Sequence, residues 1–119
     1  MLKIAVIGSR GFNDYDLMKT TLESYRMIAP GITIVSGGAK GADSLAEKYA
    51  SEMGLETIIF KPDWKTHGKI AGFLRNTTII EEADLVIAFW DGESHGTLDS
   101  MKKAKKLNKT LIEIKYKEL

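Results

Sequence analysis

Glycine, hydroxyl and cationic residues fall together at two places in the first third of the chain. Residues 8–11 read GSRG, and residues 36–43 read SGGAKGAD. Glycines let the backbone turn tightly and approach a ligand, while hydroxyl and guanidinium groups bind phosphate or carboxylate oxygens. Both segments therefore predict anion-binding loops. The alternative for residues 8–11 is a tight turn with a solvated arginine, which needs the glycines but not Ser9 and Arg10 together.

The second segment leads into a predicted helix, whose exposed backbone amides and dipole favour a phosphate. Lys40 adds a point charge. The spacing is not that of a P-loop, and a dinucleotide fingerprint would follow the first strand, with an acid at the end of the second. An ordinary hydride-transfer enzyme is therefore disfavoured. Asp43 is either a first-turn carboxylate that complements the dipole or a ligand contact.

Two later segments carry further candidates. Residues 61–68 read KPDWKTHG; Pro62 predicts an extended, outward-running loop in which Trp64 either covers a base or packs on the helix below. On that helix Arg75 and Asn76 follow Gly72; either Arg75 reaches an anion, or the polar pair is only the shoulder of the helix beside Phe73 and Leu74.

Residues 90–97 read WDGESHGT and end at the last predicted helix. Gly96 and Thr97 offer amides and a hydroxyl for a second phosphate cradle, and the alternative is that Thr97 is a plain helix cap. His67 and His95 lie in different loops, so no metal site is predicted.

Strands and helices must alternate to position these loops. Short apolar runs rich in β-branched residues predict strands at 4–7, 32–35, 55–60, 85–89 and 110–114, each buried on both faces. Apolar residues at helical spacing predict four helices. Their stripes are Leu17, Thr21, Leu22, Tyr25 and Ile28; Leu45, Ala46, Tyr49, Ala50 and Met53; Ile70, Phe73, Leu74, Thr77 and Ile80; and Leu98, Met101, Ala104 and Leu107.

This order predicts an α/β fold over residues 1–119 as a single domain. We expect a Rossmann-like three-layer sandwich, with helices on both faces of a five-stranded, mostly parallel sheet. Pro30-Gly31, Gly54 and Asn108 are expected to end helices. Because the glycine-bearing loops follow the carboxyl ends of strands, they should meet at the edge where such sheets bind ligands.

Composition limits the function classes. The 119 residues are 44% hydrophobic and 28% charged, with a net charge of +1 and no cysteine. These values exclude disulfides and thiol chemistry, and they predict no whole-molecule attraction to nucleic acid or membrane. No apolar run reaches the roughly 18–20 residues of a membrane span, and the start is unlike a signal peptide, so a cytoplasmic location is expected. Five lysines between residues 102 and 109 favour a solvated helix face, with a salt-sensitive phosphate contact as the alternative.

With these loops in order, the sequence resembles the YspA-type, cpYpsA-related branch of the SLOG (SMF/DprA-LOG) superfamily. The resemblance rests on Gly8-Ser9-Arg10, Ser36-Gly37-Gly38-Ala39, Gly41-Ala42-Asp43, Pro62, Asp63-Trp64, Ala71-Gly72, Arg75-Asn76, Asp91-Gly92, Ser94 and Gly96-Thr97. It implies a Rossmann-like sheet whose groove takes nucleotides or derived molecules such as ADP-ribose, often for sensing.

Two relatives within that superfamily set the alternatives. LOG-type phosphoribohydrolases cleave a nucleotide N-glycosidic bond with a Pro-Gly-Gly-x-Gly-Thr-x-x-Glu motif, and Ser100 stands here where that Glu would be. Asp99 and Glu93 are the substitute catalytic candidates. DprA-like relatives bind single-stranded DNA, and Arg10, Lys40, Lys61, Trp64 and Trp90 would supply cations and stacking aromatics for that function.

The sequence thus predicts a nucleotide-binding module, without a certain cofactor, that self-associates and binds no membrane. The expected mechanism places phosphate across the amides of the second and fourth loops, with Asp43 or Asp63 accepting ribose hydroxyls. The predicted ligand-binding residues are Gly8, Ser9, Arg10, Gly37, Gly38, Lys40, Gly41, Asp43, Asp63, Trp64, Arg75, Asn76, Ser94, Gly96 and Thr97.

Overall fold

A parallel five-stranded sheet forms the centre of the computed structural model, which describes residues 1–117. The strands are β1 Leu2–Gly8, β2 Ile32–Ser36, β3 Glu56–Ile59, β4 Leu85–Trp90 and β5 Thr110–Lys115, in the order β3-β2-β1-β4-β5. The helices are α1 Tyr15–Arg26, α2 Ala42–Met53, α3 Trp64–His67, α4 Ala71–Glu82 and α5 His95–Lys106, with a 3-10 turn at Gly68–Ile70. The predicted Rossmann-like α/β class is confirmed.

The strand order places a crevice beside β1. From β1 the chain runs outward through β2 to β3, then crosses back to pair β4 with the other side of β1, with Ile4 opposite both Ile34 and Leu85. The loops after β1 and β4 therefore diverge at the carboxyl edge of the sheet. In open α/β sheets this reversal point is where ligands bind.

A hydrophobic core lies on each face of the sheet. One core packs α1 and α2 residues such as Met18, Leu22 and Tyr49 against β1, β2 and β4. The other packs Ile80 of α4 and Met101 of α5 against the opposite face. Helices on both faces leave the carboxyl edge of the strands as the place where the loops converge.

The edge strands differ from the prediction of burial on both faces. That prediction holds for β1, β2 and β4 but is wrong for β3 and β5, in which Glu56, Thr57, Ile59 and Glu113 are exposed. An edge strand has one hydrogen-bonded neighbour and incomplete helical cover, so apolar sequence there does not ensure burial. Charged side chains such as Glu56 and Glu113 also discourage pairing with another chain.

Three predicted helix stripes are wrong in part. α1 ends at Arg26, before Pro30-Gly31, and Ile28 is 79% exposed beyond it. In the third stripe, Phe73 and Leu74 of α4 and Ile70 of the preceding 3-10 turn are exposed, and in the fourth Leu107 is exposed after the end of α5.

Ile80 of the predicted stripe is buried, and the rest of the inward face of α4 runs from Ala71 through half-buried Arg75 to Ile79. Ala71, Arg75 and Ile79 recur every four positions, so they share one face of the helix. Hydrophobic patterning misses this face because its second member is an arginine.

Helix ends follow the backbone preferences of their residues. Gly54 caps α2 with φ of 67°, and Asn108 follows α5 with φ of 56°, as expected. The extended loop predicted after Pro62 is wrong in part, because residues from Trp64 form the short helix α3, capped by Asp63. Among the described helices, none has the length and apolar character to cross a bilayer.

Candidate functional site

A groove at the carboxyl edge of the sheet has two connected hollows. The inner hollow, of about 450 Å³, lies among the loops after β1 and β4 and helices α4 and α5. The outer hollow, of about 510 Å³, lies between the loop after β2 and the segment from Lys61 to Phe73. Volumes in this range suit small ligands. The residues shared by both hollows are Arg10, Ala39, Arg75, Asn76 and Gly96.

Most of the predicted ligand-binding residues line this groove. Those in the inner hollow are Gly8, Ser9, Arg10, Asp43, Arg75, Asn76, Ser94, Gly96 and Thr97. Those added by the outer hollow are Gly37, Gly38 and Trp64. Lys40, Gly41 and Asp63 line neither hollow and stay predictions as ligand contacts.

The loop after β1 is packed against its neighbours, with a free cation at its tip. A Cβ at Gly8 would lie 2.5 Å from Ala42 Cβ, so no side chain fits there. The buried Ser9 hydroxyl accepts a hydrogen bond from the amide of Asp91 at 3.2 Å and so joins the first loop to the fourth. Arg10 is exposed, and its guanidinium forms no hydrogen bond or ion pair with any described residue.

The loop after β2 is closed by a carboxylate of its own helix. Asp43 Oδ2 accepts a hydrogen bond from the amide of Ala39 at 3.2 Å, and the amide of Gly38 donates to Ser36 Oγ at 3.4 Å. Burial raises the pKa of Asp43 to about 6, although the Ala39 amide and the Arg75 charge counter part of this rise. Asp43 therefore makes a structural contact within its own loop, and its role as a ligand contact stays a prediction.

Arg75 connects α4 to this loop. Its Nη1 donates to Gly37 O at 2.7 Å, and its Nε donates to Asn76 Oδ1 at 3.0 Å. Burial lowers the pKa of Arg75, Asp43 partly restores it, and the charge of Arg10 lowers it further. Two guanidinium groups thus repel each other where the two hollows meet, and an anion bound between them would relieve that repulsion.

The loop after β4 holds a second carboxylate beside several hydroxyls. Asp91 Oδ1 accepts hydrogen bonds from the amides of Glu93 and Ser94, each at 2.8 Å. These two amides lower the pKa of Asp91 below its ordinary value, so its carboxylate is ionised at neutral pH. Sequence reasoning left Asp91 out of the predicted site, although its place directly after a central strand was the signal that could have included it.

The N-terminus of α5 is open to the inner hollow. A Cβ at Gly96 would meet nothing within 4 Å. Thr97 is buried in the first turn with its Oγ1 3.2 Å from Ser94 Oγ, and Ser94 is the N-cap residue, so the prediction of Thr97 as a plain cap is wrong. Ser100 is 3% exposed and lines the hollow, and its hydroxyl makes no hydrogen bond with the described residues.

Aromatic and cationic side chains border the outer hollow. Trp64 is 56% exposed, and its Cη2 lies 3.5 Å from the Cβ position of Gly72. One edge of Trp64 therefore packs on α4, as one interpretation predicts, and its role in covering a base stays a prediction. Lys61 and Lys69 line the same hollow, whereas Asp63 caps α3 through the amide of Thr66.

The two candidate catalytic acids lie outside the groove. Asp99 forms a 2.8 Å ion pair with Lys103 and accepts a hydrogen bond from Asn76 Nδ2 at 3.4 Å. Glu93 is exposed. Neither residue lines either hollow, so neither carboxylate faces a ligand there.

Comparison with known proteins identifies the family. The model of the YspA, cpYpsA-related SLOG family matches residues 2–67, which include the first two glycine loops. The chain belongs to the YspA, cpYpsA-related SLOG family. The Gene 61 protein of Mycobacterium phage D29 is similar to this chain. The two are 36% identical over 113 residues, which cover 89% of this chain and 90% of the phage protein.

Solved structures similar to this SLOG-family chain are DNA processing proteins. DNA processing protein A (DprA) from Streptococcus pneumoniae superposes with a TM-score of 0.82 at 21% identity, over 100% of this chain and 52% of DprA. The Helicobacter pylori protein, described by its single-stranded DNA binding mode, gives 0.75 at 26% identity, over 98% of this chain and 66% of its own. The SLOG-family chain thus spans about half to two thirds of these proteins, and the likeness confirms its fold.

Proposed function

We propose that the groove binds a nucleotide or a nucleotide-derived ligand and that the protein acts as a ligand-binding or sensing module. The observation that carries the proposal is the pair of guanidinium groups where the two hollows meet. Arg75 is partly neutralised by Asp43, whereas Arg10 has no ion-pair partner in the described chain. A cation held beside a like charge in a concave, polar site is poised to bind an anion.

The α5 terminus is the main phosphate site in this proposal. The amides of Gly38 and Ala39 already donate within their own loop, so the second loop offers fewer free donors than its sequence suggests. The first turn of α5 is open and carries orphan amides together with the hydroxyls of Thr97 and Ser100. A phosphate there would also be within the field of both arginines.

The remainder of the ligand would extend into the outer hollow. Trp64 offers an exposed indole surface for a base, and Gly72 leaves room for one edge of that ring to pack on α4. Gly38 has a φ of 71° and lies between this hollow and β3. A side chain at Gly38 would strain the backbone and narrow the entrance.

Single-stranded DNA is the second candidate, and a specific observation favours it. Trp64 and Phe73, both about half exposed, lie in the outer hollow with Lys61 and Lys69. Aromatics between cations are typical of single-strand binding surfaces, and the similar Helicobacter pylori protein is described as a single-stranded DNA binder. This alternative predicts an affinity that falls steeply with salt, unlike that for a mononucleotide.

A ligand-observed proton NMR time course with AMP, CMP, NAD and ADP-ribose tests the proposal. Saturation transfer reports binding, and free-base or ribose signals would report turnover in the same tube. We expect binding without turnover, because Asp99 and Glu93 lie outside the groove. Released base would instead assign an N-glycosidic hydrolase.

Arg10→Ala provides the residue-level test. Losing a charged hydrogen-bond donor should weaken binding of the best nucleotide by about tenfold or more. Lys106→Ala removes one exposed charge away from the groove and should leave affinity unchanged. Gly38→Val should also weaken binding, and thermal melts show whether each variant is folded. Full affinity in both Arg10→Ala and Gly38→Val would contradict the proposed site.

A further inference from the structure

We infer that Asp91 accepts hydrogen bonds from ribose hydroxyls, so that the groove selects ribonucleotides over 2′-deoxynucleotides. This inference rests on the proposed function and adds the class of sugar that the site takes. It assigns to Asp91 the role that the sequence-based prediction gives to Asp43 or Asp63.

The loop after β4 places the Asp91 carboxylate on the inner hollow, where the Ser9 hydroxyl is one of its hydrogen-bond partners. The amides of Glu93 and Ser94 both donate to Oδ1 of Asp91 and fix the side chain, while Oδ2 receives neither of them. Asp91 lines the inner hollow together with Ser9 and Ser94. A rigid acceptor set among hydroxyls is suited to a diol, since ionised carboxylates accept but do not donate.

The other acids near the groove have different roles. Asp43 is buried, accepts the Ala39 amide and compensates Arg75. Asp63 caps α3, and Asp99 pairs with Lys103. Two carboxylates line the described groove, and Asp91 is the less buried of the two, so its carboxylate is the more accessible to a ligand.

The distribution of charge also orients the ligand. Arg10 and Arg75 lie where the hollows meet, while the Asp91 carboxylate lies at the β4 side of the inner hollow. A phosphate in contact with Asp91 would meet a like charge, whereas a neutral hydroxyl pair would meet an acceptor. The phosphate proposed at the first turn of α5 therefore lies on the side of Gly96, which lines both hollows together with Arg10 and Arg75. Carboxylates hold ribose hydroxyls in this way in other Rossmann-like folds, and the 2′-hydroxyl is the group that separates ribose from deoxyribose.

The first experiment compares AMP with 2′-deoxy-AMP on the wild-type chain by isothermal titration calorimetry. We expect AMP to bind about tenfold or more tightly, as for a hydrogen bond to a charged group. Equal affinities would overturn the inference and leave the proposed function intact. Failure of both nucleotides, and of CMP, NAD and ADP-ribose, to bind would overturn both.

Asp91→Asn is the variant that tests the charged acceptor at this position. An asparagine Oδ1 still accepts the two loop amides, while its amide group replaces the ionised Oδ2 with a donor. We expect the preference for AMP over 2′-deoxy-AMP to fall to about threefold or less, with 2′-deoxy-AMP bound at least as well as by wild type.

Glu113→Gln is the matched control, because it removes one carboxylate charge from exposed β5 outside the groove. It should keep the wild-type preference, which excludes a general charge effect. An unchanged AMP preference in Asp91→Asn would overturn the inference. If Asp91→Asn does not fold, the affinities of the wild-type chain for AMP and 2′-deoxy-AMP still decide whether the groove selects ribose.

Discussion

Helices α2 and α5 begin at the same edge of the sheet with similar glycine-rich sequences, yet their N-termini differ in what they hold. At α2, a Cβ on Gly41 would lie 2.4 Å from Ser9 O, and Asp43 accepts a hydrogen bond from the amide of Ala39. At α5, a Cβ on Gly96 would meet nothing within 4 Å, and the hydroxyl of Ser100 has no partner among the described residues. The first terminus is filled by the protein itself, and the second is open.

The difference shows that a glycine-rich helix start has two physical uses. Where φ is positive and the neighbouring chain is close, as at Gly41, glycine permits packing of one loop on another. Where the surroundings are empty, as at Gly96, it leaves space for a ligand to approach the amides. Both uses require glycine, so the residue type alone does not show which use applies. The surrounding structure decides whether the glycine packs against another loop or leaves space for a ligand.

Among the variants that test this comparison, Gly41→Ala should cause the largest change in stability. Alanine would require φ near 78° and a contact of 2.4 Å with a backbone oxygen, neither of which a side-chain rotation relieves. We expect a loss of about 3 kcal/mol or more in the free energy of unfolding, or a melting temperature lower by roughly 10 °C. Thermal unfolding by circular dichroism measures it. A stability within 1 kcal/mol of wild type, on the scale of a neutral surface change, would contradict the packing role.

Asp43 should make the α2 terminus sensitive to pH. Its folded pKa of about 6 exceeds the ordinary 3.8, so the folded state binds the proton more tightly and is stabilised as the pH falls through that window. As the pH falls from 7 to 4, the free energy of unfolding of the wild type should rise by on the order of 2–3 kcal/mol relative to that of Asp43→Asn. Nearby Glu47 and Arg75 are present in both proteins and largely cancel.

Urea unfolding across that pH range measures this difference. The lowered pKa values of Asp63 and Asp91 act in the opposite sense, with stability lost as the pH falls toward and below 3.8, so they stay outside most of the window. They are also common to both chains. A pH-independent difference between wild type and Asp43→Asn would show that the carboxylate is not buried as described.

Gly96→Ala should have the smallest effect on stability, and of opposite sign. The added methyl enters open space in the first turn of α5, where alanine is favoured over glycine by about 0.5–1 kcal/mol. The same methyl should weaken AMP binding, because it intrudes where a phosphate would approach the amides. Calorimetry on this variant separates the two effects. Destabilisation, or unchanged AMP affinity, would remove the distinction between the two termini.

The fold could be predicted from the sequence wherever a strand is buried on both faces of the sheet. The alternation of β-branched runs and helical stripes predicted the order of elements and the parallel sheet, because central strands such as β1 are apolar on both sides. The prediction failed for β3, which lies at an edge, and for the face of α4 that carries Arg75. A polar residue on an inward face is invisible to hydrophobic patterning, since its partners, Gly37 and Asp43, are distant in the chain.

The sequence predicted which residues line the candidate site better than it predicted what each of them does there. Glycine, serine and arginine types located the loops after β1, β2 and β4, and strand direction placed them at one edge. Sequence could not show that Asp43 closes its own loop or that Asp63 caps a short helix, since both carboxylates satisfy the same local pattern as a ligand contact. It also left Asp91 out of the predicted ligand-binding residues and gave no sign that Ser100 would line the inner hollow.

The sequence by itself determined which elements form and which loops share an edge, because these depend on periodicity and on the direction of parallel strands. Only the tertiary structure decided which of two similar helix starts is open, because that depends on contacts between residues far apart in the chain. The approach of Ser9 to Gly41 and of Arg75 to Gly37 closes one terminus. The open space beside Gly96 leaves the other free to bind.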